Sequence, residues 1–193
     1  MIKEALRYLG IQGEANEETL RLVLECMETV QKVATPKLVS RAFSWEEFSP
    51  YMKGEDIKKH VAGAEKIFLM VATLGIGVDI EIKKAQAVDM ARAAVMDACA
   101  AAFIEQYMDK MMPEGLPSNM RFSPGYGDYP LSIQPQLLKA VKAFKIGISV
   151  LDSYMLVPSK SVTAIVGIGM ENKALNDKCV KCGKTDCAYR KEG

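Results

Sequence analysis

Ile67-Phe68-Leu69-Met70-Val71-Ala72 is an unbroken apolar run, followed by Gly75 and Gly77. Its length suits a strand and not a helix. The lack of polar alternation predicts a strand covered on both faces. Downstream, a helix is expected from about Asp79 to Met112, with Val88, Ala91, Val95, Ala98 and Ala102 along one stripe. Pro113-Glu114-Gly115-Leu116-Pro117 ends it. Upstream, residues 37–45 are rich in β-branched and aromatic types and read as a second strand. Before them, Asn16 is a helix N-cap, and Glu17 and Glu18 place negative charge in the first turn. Leu20, Val23, Leu24, Met27 and Val30 recur at helical spacing until Thr35-Pro36. Asp56 to Val61 reads as a short helix stopped by Gly63.

Residues 118–135 hold Pro124, Gly125, Gly127, Pro130 and Pro135. Met120, Phe122, Tyr126 and Tyr129 give this segment material to pack, so an ordered loop is expected. Gln136 to Phe144 reads as an amphipathic helix, with Leu137, Leu138, Val141 and Phe144 on its apolar side. Ile146 to Leu151 reads as a strand. In a last strand, Ser161 to Gly169, Val162, Ala164, Val166 and Ile168 alternate with Ser161, Thr163, Ile165 and Gly167. Long helices with a few separated strands predict an α+β domain, its helices packed on one sheet. Regular βαβ alternation is missing, which argues against a Rossmann-type methyltransferase. Gly75 and Gly77 do not begin a G-x-G-x-x-G fingerprint, because position 80 is Ile. The expected organisation is one domain over residues 1–170 and a cysteine-containing tail over 171–193.

The chain has 193 residues, with 25 Lys and Arg against 24 Asp and Glu, a net charge of +1. That balance argues against a nucleic-acid partner, whose affinity rests on phosphate neutralisation. No stretch reaches the roughly 18 apolar residues of a membrane span. Met1-Ile2-Lys3-Glu4-Ala5 lacks the basic-then-apolar order of a signal peptide, and a cytoplasmic location is expected. Five cysteines, an odd number, do not suit a secreted disulfide framework. The one histidine, His60, excludes His-rich metal sites and reads as a solvent-exposed helix residue. Cys26 and Cys99 read as small core residues, and Asp89, Asp97 and Asp109 as solvent-facing.

The chemistry-bearing stretch is Arg121-Phe122-Ser123-Pro124-Gly125-Tyr126-Gly127-Asp128-Tyr129-Pro130. Arg121 can grip a carboxylate with two parallel hydrogen bonds. Glycines let the backbone approach a ligand closely. Tyr126 and Tyr129 offer flat faces to a ring or a cation. This suits a small anionic ligand. The alternative is a rigid turn with a surface arginine and two packed tyrosines. A second signal is Cys179-x-x-Cys182-x-x-x-x-Cys187, with Lys178, Lys181 and Lys184 among the thiols. Three thiolates so spaced suit Zn²⁺ or an iron–sulfur cluster. The alternative is a tail of reduced thiols.

Arg121-x-x-Pro124-Gly125-Tyr126 with Pro130 resembles the R-x-x-P-G-Y-x-x-x-P signature of the activation (reactivation) domain of vitamin B12-dependent methionine synthase. The family's Ala-rich helix before the signature is matched by residues 88–112. Its later L-T-x-S-x-x-M-x-P-x-x-S-V-S-G segment is matched by Leu151 to Ala164. The resemblance implies helices on a central, largely antiparallel twisted sheet, and a site for S-adenosylmethionine (AdoMet). By resemblance Arg121 would hold the AdoMet carboxylate and Tyr126 would line the reacting methyl group, as the catalytic residue. Backbone at Pro124 and Gly125, and at Ser161, Val162, Thr163 and Ala164, would contact the rest. An acidic residue for the ligand amino group has three candidates here, Asp56, Glu46 and Glu47. The reaction implied is reductive methylation of cob(II)alamin to methylcobalamin. The cobalamin would be carried by a partner, a methionine synthase or another corrinoid protein, with a flavodoxin- or ferredoxin-type electron donor. The only histidine does not lie in a D-x-H-x-x-G corrinoid motif. The last strand ends Val166-Gly167-Ile168-Gly169, without the family's aromatic. That departure favours the alternative, a binding, sensor or scaffold module with a metal or redox tail.

Overall fold

The computed structural model describes residues 1–11, 13–112 and 117–169. The order of elements is α1 (Ile2–Tyr8), α2 (Glu17–Val33), β1 (Lys37–Phe43), α3 (Trp45–Phe48), α4 (Glu55–Val61), β2 (Lys66–Thr73), α5 (Ile76–Val88) and α6 (Met90–Lys110). Then come α7 (Gln134–Ala140), β3 (Ser149–Val150), β4 (Leu156–Val157) and β5 (Ser161–Ile168). An antiparallel sheet runs in the order β1-β2-β5, and β3 pairs with β4 in a separate small hairpin. This is the α+β architecture with an antiparallel sheet that the sequence leads one to expect.

The apolar run of β2 is explained by its position. It is the middle strand, with Ile67 opposite Gly167 and Val71 opposite Thr163 on one side, and Phe43 and Val39 opposite the same residues on the other. Met70 and Ala72, with Ala164, Val166 and Ile168 of β5, join a core shared with Val23, Met27 and Val30 of α2 and Val95, Met96 and Cys99 of α6. Ile67, Leu69, Val71 and Ile165 point the other way, into a core with Phe48, Ile57, Leu137 and Tyr129. Each such buried side chain contributes on the order of 1.5–3 kcal/mol. A polar residue at Ile67, Leu69, Met70, Val71 or Ala72 would therefore disrupt one core or the other.

The α2 helix begins as read, with the Asn16 side chain accepting the Thr19 N–H at 2.8 Å. Leu24 is half exposed, while Cys26 takes a core position. The expected long helix is two helices. Asp89 breaks it with φ −150° and ψ 103°, and its carboxylate accepts the Arg92 N–H at 3.0 Å as the N-cap of α6. Aspartate competes for backbone donors and so favours a cap over a helix interior. Val88, assigned to the apolar stripe, consequently stands 89% exposed at the junction. The β1 strand stops at Phe43 because Ser44 and Glu47 form a capping box that starts α3. The helix read at 136–144 is α7 plus a 3-10 turn at 143–146, with Lys142 left-handed at φ 56° and Phe144 exposed. The strand read at 146–151 shrinks to Ser149–Val150 in the hairpin. The short α1 and the residue after it carry Ile2, Ala5, Leu6 and Leu9 at helical spacing, and the helix is held by packing on α6 with Ala5 buried.

Candidate functional site

The sheet has an edge that is only half covered. Residues 117–122 run antiparallel along the outer side of β5. Phe122 and Ile165 exchange both backbone hydrogen bonds at 2.9 and 2.8 Å, and the Asn119 N–H donates to the Gly167 carbonyl at 3.1 Å. The Asn119 side-chain oxygen accepts the Gly167 N–H at 2.8 Å. The even-numbered residues of β5 bond β2, in step with the Leu74–Lys160 and Glu65–Ile168 backbone bonds that flank the pairing. Odd-numbered residues therefore turn their backbone groups outward. Ile165 and Gly167 are covered, whereas the outward groups of Ser161 and Thr163 have no backbone partner among the described residues. Thr163 is 2% exposed, and its Oγ1 has no hydrogen-bond partner among them either. Its side chain shares the sheet face of Val71 and Ile165, opposite the face that packs on α6.

Arg121 and Phe122 point to opposite faces of this edge. The Phe122 ring meets the His60 ring of α4 at 4.8 Å between centroids. The His60 Nε2–H donates to the Met120 carbonyl at 2.7 Å, and the Asn119 amide donates to the His60 carbonyl. His60 is thus a half-buried clasp on the Arg121 segment, not the solvent-exposed residue expected. No local pattern announces this, because its partner lies 60 residues away.

The Arg121 side chain reaches α6. Its Nη2 lies 2.5 Å from a Glu105 carboxylate oxygen and 3.0 Å from Asp109 Oδ1, while Nη1 donates to the Glu105 backbone carbonyl at 3.1 Å. Only 11% of the side chain is exposed. It is therefore not a surface arginine; two acids of the chain hold it. Further along the same α6 row, the Asp97 carboxylate takes Lys160 Nζ at 2.7 Å. Asp97 and Asp109 are largely exposed, as read, yet both are ion-paired. The row Asp97, Ala101, Glu105 spans about 12 Å at roughly 1.5 Å per residue. Its ends meet Lys160, the residue before β5, and Arg121, beside the far end of β5. Beside this row, Tyr8 and Leu9 of α1 and Ala94, Ala98 and Ala101 of α6 line a groove of about 590 Å³. Burial, and next the Glu105 carboxylate, push the Tyr8 phenol up to about 12. Tyr126 is likewise raised, by desolvation and then Glu105, with Arg121 and Ser123 pulling the other way. Both phenols are neutral hydrogen-bonding groups at pH 7.

The Pro-Gly loop is ordered by its own hydrogen bonds, as expected. Gly125 has φ 92°, and its N–H donates to the Tyr129 carbonyl at 2.8 Å. The Tyr126 N–H donates to the Ser123 carbonyl, and Pro124 is buried. The two tyrosines differ. Tyr129 is 1% exposed and its hydroxyl donates to the Tyr51 carbonyl, so it is core and offers no face to a ligand. Tyr126 is 44% exposed, its ring edge-on to Phe122 at 5.8 Å. Ser161 Oγ donates to the Pro158 carbonyl, Val162 packs toward α6, and Ala164 is fully buried. Of the three acidic candidates, Glu47 is spent on its capping box and on Arg41, and Glu46 lies beside it on α3. Asp56 accepts the Asp128 N–H and so reaches the loop. The structure thus places Arg121 at the end of the segment that pairs with Ile165–Gly167 of β5, and the Pro124-Gly125-Tyr126 turn directly after it.

Cys179, Cys182 and Cys187 lie outside the described residues, as does the tail assigned to 171–193. Among the described residues no group of three or more His, Cys, Asp or Glu is placed to hold a metal. No described helix is long and apolar enough to cross a membrane. Cys26 and Cys99 are buried, and burial pushes the Cys99 thiol up to about 12.

No protein-family model matches the chain, and no curated protein matches it. The fold is similar to a crystal structure of the MetH reactivation domain bound to AdoHcy, with a TM-score of 0.58. Identity is 15%, and the match covers 89% of this chain and 77% of that one. At that identity the likeness establishes the fold.

Proposed function

We propose that this chain binds AdoMet along the open edge of β5 and supports reactivation of a corrinoid protein. The observation that carries the reading is the placement of Arg121, held on α6 by Glu105 and Asp109 at the end of the segment that covers Ile165–Gly167 and leaves the outward backbone of Ser161 and Thr163 without a backbone partner among the described residues. The similar fold of a domain that binds AdoHcy, the demethylated form of AdoMet, supports the same ligand class. Arg121 takes the ligand carboxylate, and Glu105 accepts from its ammonium group. The outward groups of Thr163 meet a polar edge of the nucleoside. Tyr126, uncharged and exposed, borders the methyl group. Orientation is what the protein supplies. The electrophilic methyl passes from the AdoMet sulfur to the cobalt of a corrinoid on the partner protein. One electron from a flavodoxin- or ferredoxin-type donor completes the balance, and cob(II)alamin becomes methylcobalamin while AdoHcy is released.

Calorimetric titration with AdoMet tests this. The parent chain binds and Arg121→Ala does not; equal binding by the variant would sink the proposal. Addition of a cob(II)alamin protein and a reductant then yields methylcobalamin only with the parent. The tail cysteines are assigned to Zn²⁺ or an iron–sulfur cluster. Metal analysis of protein purified without oxygen checks that assignment, and the loss of metal on replacing Cys179, Cys182 and Cys187 with Ser confirms the ligands.

A further inference from the structure

The Arg121 cluster is unbalanced. Two carboxylates, Glu105 and Asp109, share one guanidinium, which leaves one net negative charge. Nearby, Glu4 pairs with Arg7 on α1 and Asp97 with Lys160, and the exposed Lys110 follows Asp109 at the end of α6 without pairing with it. Asp109 is the odd member. It stands in the last turn of α6, where the helix dipole disfavours an acid, and its side chain is 70% exposed. Burial does not explain it, and helix preference opposes it. Its one ion-pair partner among the described residues is Arg121.

We propose that Asp109 selects ligands by charge at the AdoMet site, competing with the ligand carboxylate for Arg121 and favouring a ligand of net charge +1 over its neutral counterpart. The proposal rests on the reading of the site as an AdoMet site. AdoMet carries an ammonium, a sulfonium and a carboxylate, net +1. AdoHcy has lost the sulfonium charge and is net neutral. A ligand carboxylate must share Arg121 with Asp109, and a sulfonium compensates for that competition while a thioether does not. The donor is thereby held better than the spent product. For a separation on the order of 7 Å and an effective dielectric of about 40–80, one unit charge is worth roughly three- to eightfold in affinity.

The experiment is calorimetric titration of the full chain with AdoMet and with AdoHcy, for the parent, Asp109→Asn and the control Glu25→Gln. Glu25 pairs with Arg92 away from the site, so that variant removes an exposed carboxylate without touching Arg121. The parent prefers AdoMet. Asp109→Asn lowers the AdoMet-to-AdoHcy affinity ratio roughly three- to eightfold, mostly by tightening AdoHcy, and Glu25→Gln leaves it unchanged. Added salt shrinks the parent's ratio and barely alters that of Asp109→Asn. A mere helix-end role for Asp109 would move both affinities together. If the parent binds both nucleosides and Asp109→Asn keeps the parent ratio, charge selection is wrong and the AdoMet site stands. If the parent binds neither, the AdoMet reading falls and charge selection falls with it.

Discussion

Asp56 and Asp128 cap each other's backbone. The Asp128 carboxylate accepts the N–H groups of Glu55 at 2.6 Å and Asp56 at 3.0 Å, and the Asp56 carboxylate accepts the Asp128 N–H at 3.1 Å. This exchange ties the N-terminus of α4 to the loop that carries Tyr126. The backbone donors hold the Asp128 carboxyl below its ordinary range. A lowered folded pKa means the contribution is complete above the unfolded value, near ~4, and is lost as pH falls through the folded value. Asp128→Ala is expected to melt at lower temperature than the parent at neutral pH, with the gap closing in acid. Thermal melts over about pH 2 to 6 check this; a gap that persists at the acid end would refute it.

Gly54, at the start of α4, has φ +119°, and a Cβ there would stand 2.5 Å from an Asp128 carboxylate oxygen. Gly54→Ala therefore suffers twice, from the backbone conformation and from the displaced cap. A loss of about 2 kcal/mol in urea unfolding is expected. It should be smaller, though not abolished, in an Asp128→Ala background, where the carboxylate is gone and the Asp128 backbone carbonyl oxygen at 2.9 Å remains.

Asp89 separates α5 from α6 by capping the second helix. Asp89→Ala removes the cap and costs about 1 kcal/mol by denaturant unfolding. Asp89→Ser, which can still accept the Arg92 N–H, should recover most of it. Equal losses for both variants would mean that the break rests on packing and not on the cap.

Thr163 Oγ1 is buried without a partner among the described residues. Thr163→Val removes a desolvated hydroxyl and keeps the shape, so stability should be unchanged or up to about 1 kcal/mol higher. A loss of stability in the variant would place a partner on Oγ1 in the free protein.

Much of this chain was legible without its tertiary structure. The Asn16 cap, the two-faced burial of Ile67–Ala72 and the alternation in Ser161–Ile168 follow from local physics. Each is encoded in the spacing or capping chemistry of neighbouring residues. The break at Asp89 and the capping box at Ser44 were equally local, and a continuous apolar pattern masked them. Arg121-x-x-Pro124-Gly125-Tyr126 marked the candidate site.

What the arginine does was a different matter. Arg121 is bound to Glu105, His60 to Met120 and Tyr129 to Tyr51 across separations of 16, 60 and 78 residues. Periodicity states which face of an element is apolar. It carries no register between elements, and register alone brings a given acid to a given base. The sequence by itself determined the central strand, the α2 helix and the motif that holds Arg121. Only the packing of 117–122 against half of β5 decided which tyrosine faces out, which carboxylates hold Arg121 and where the sheet edge stays open.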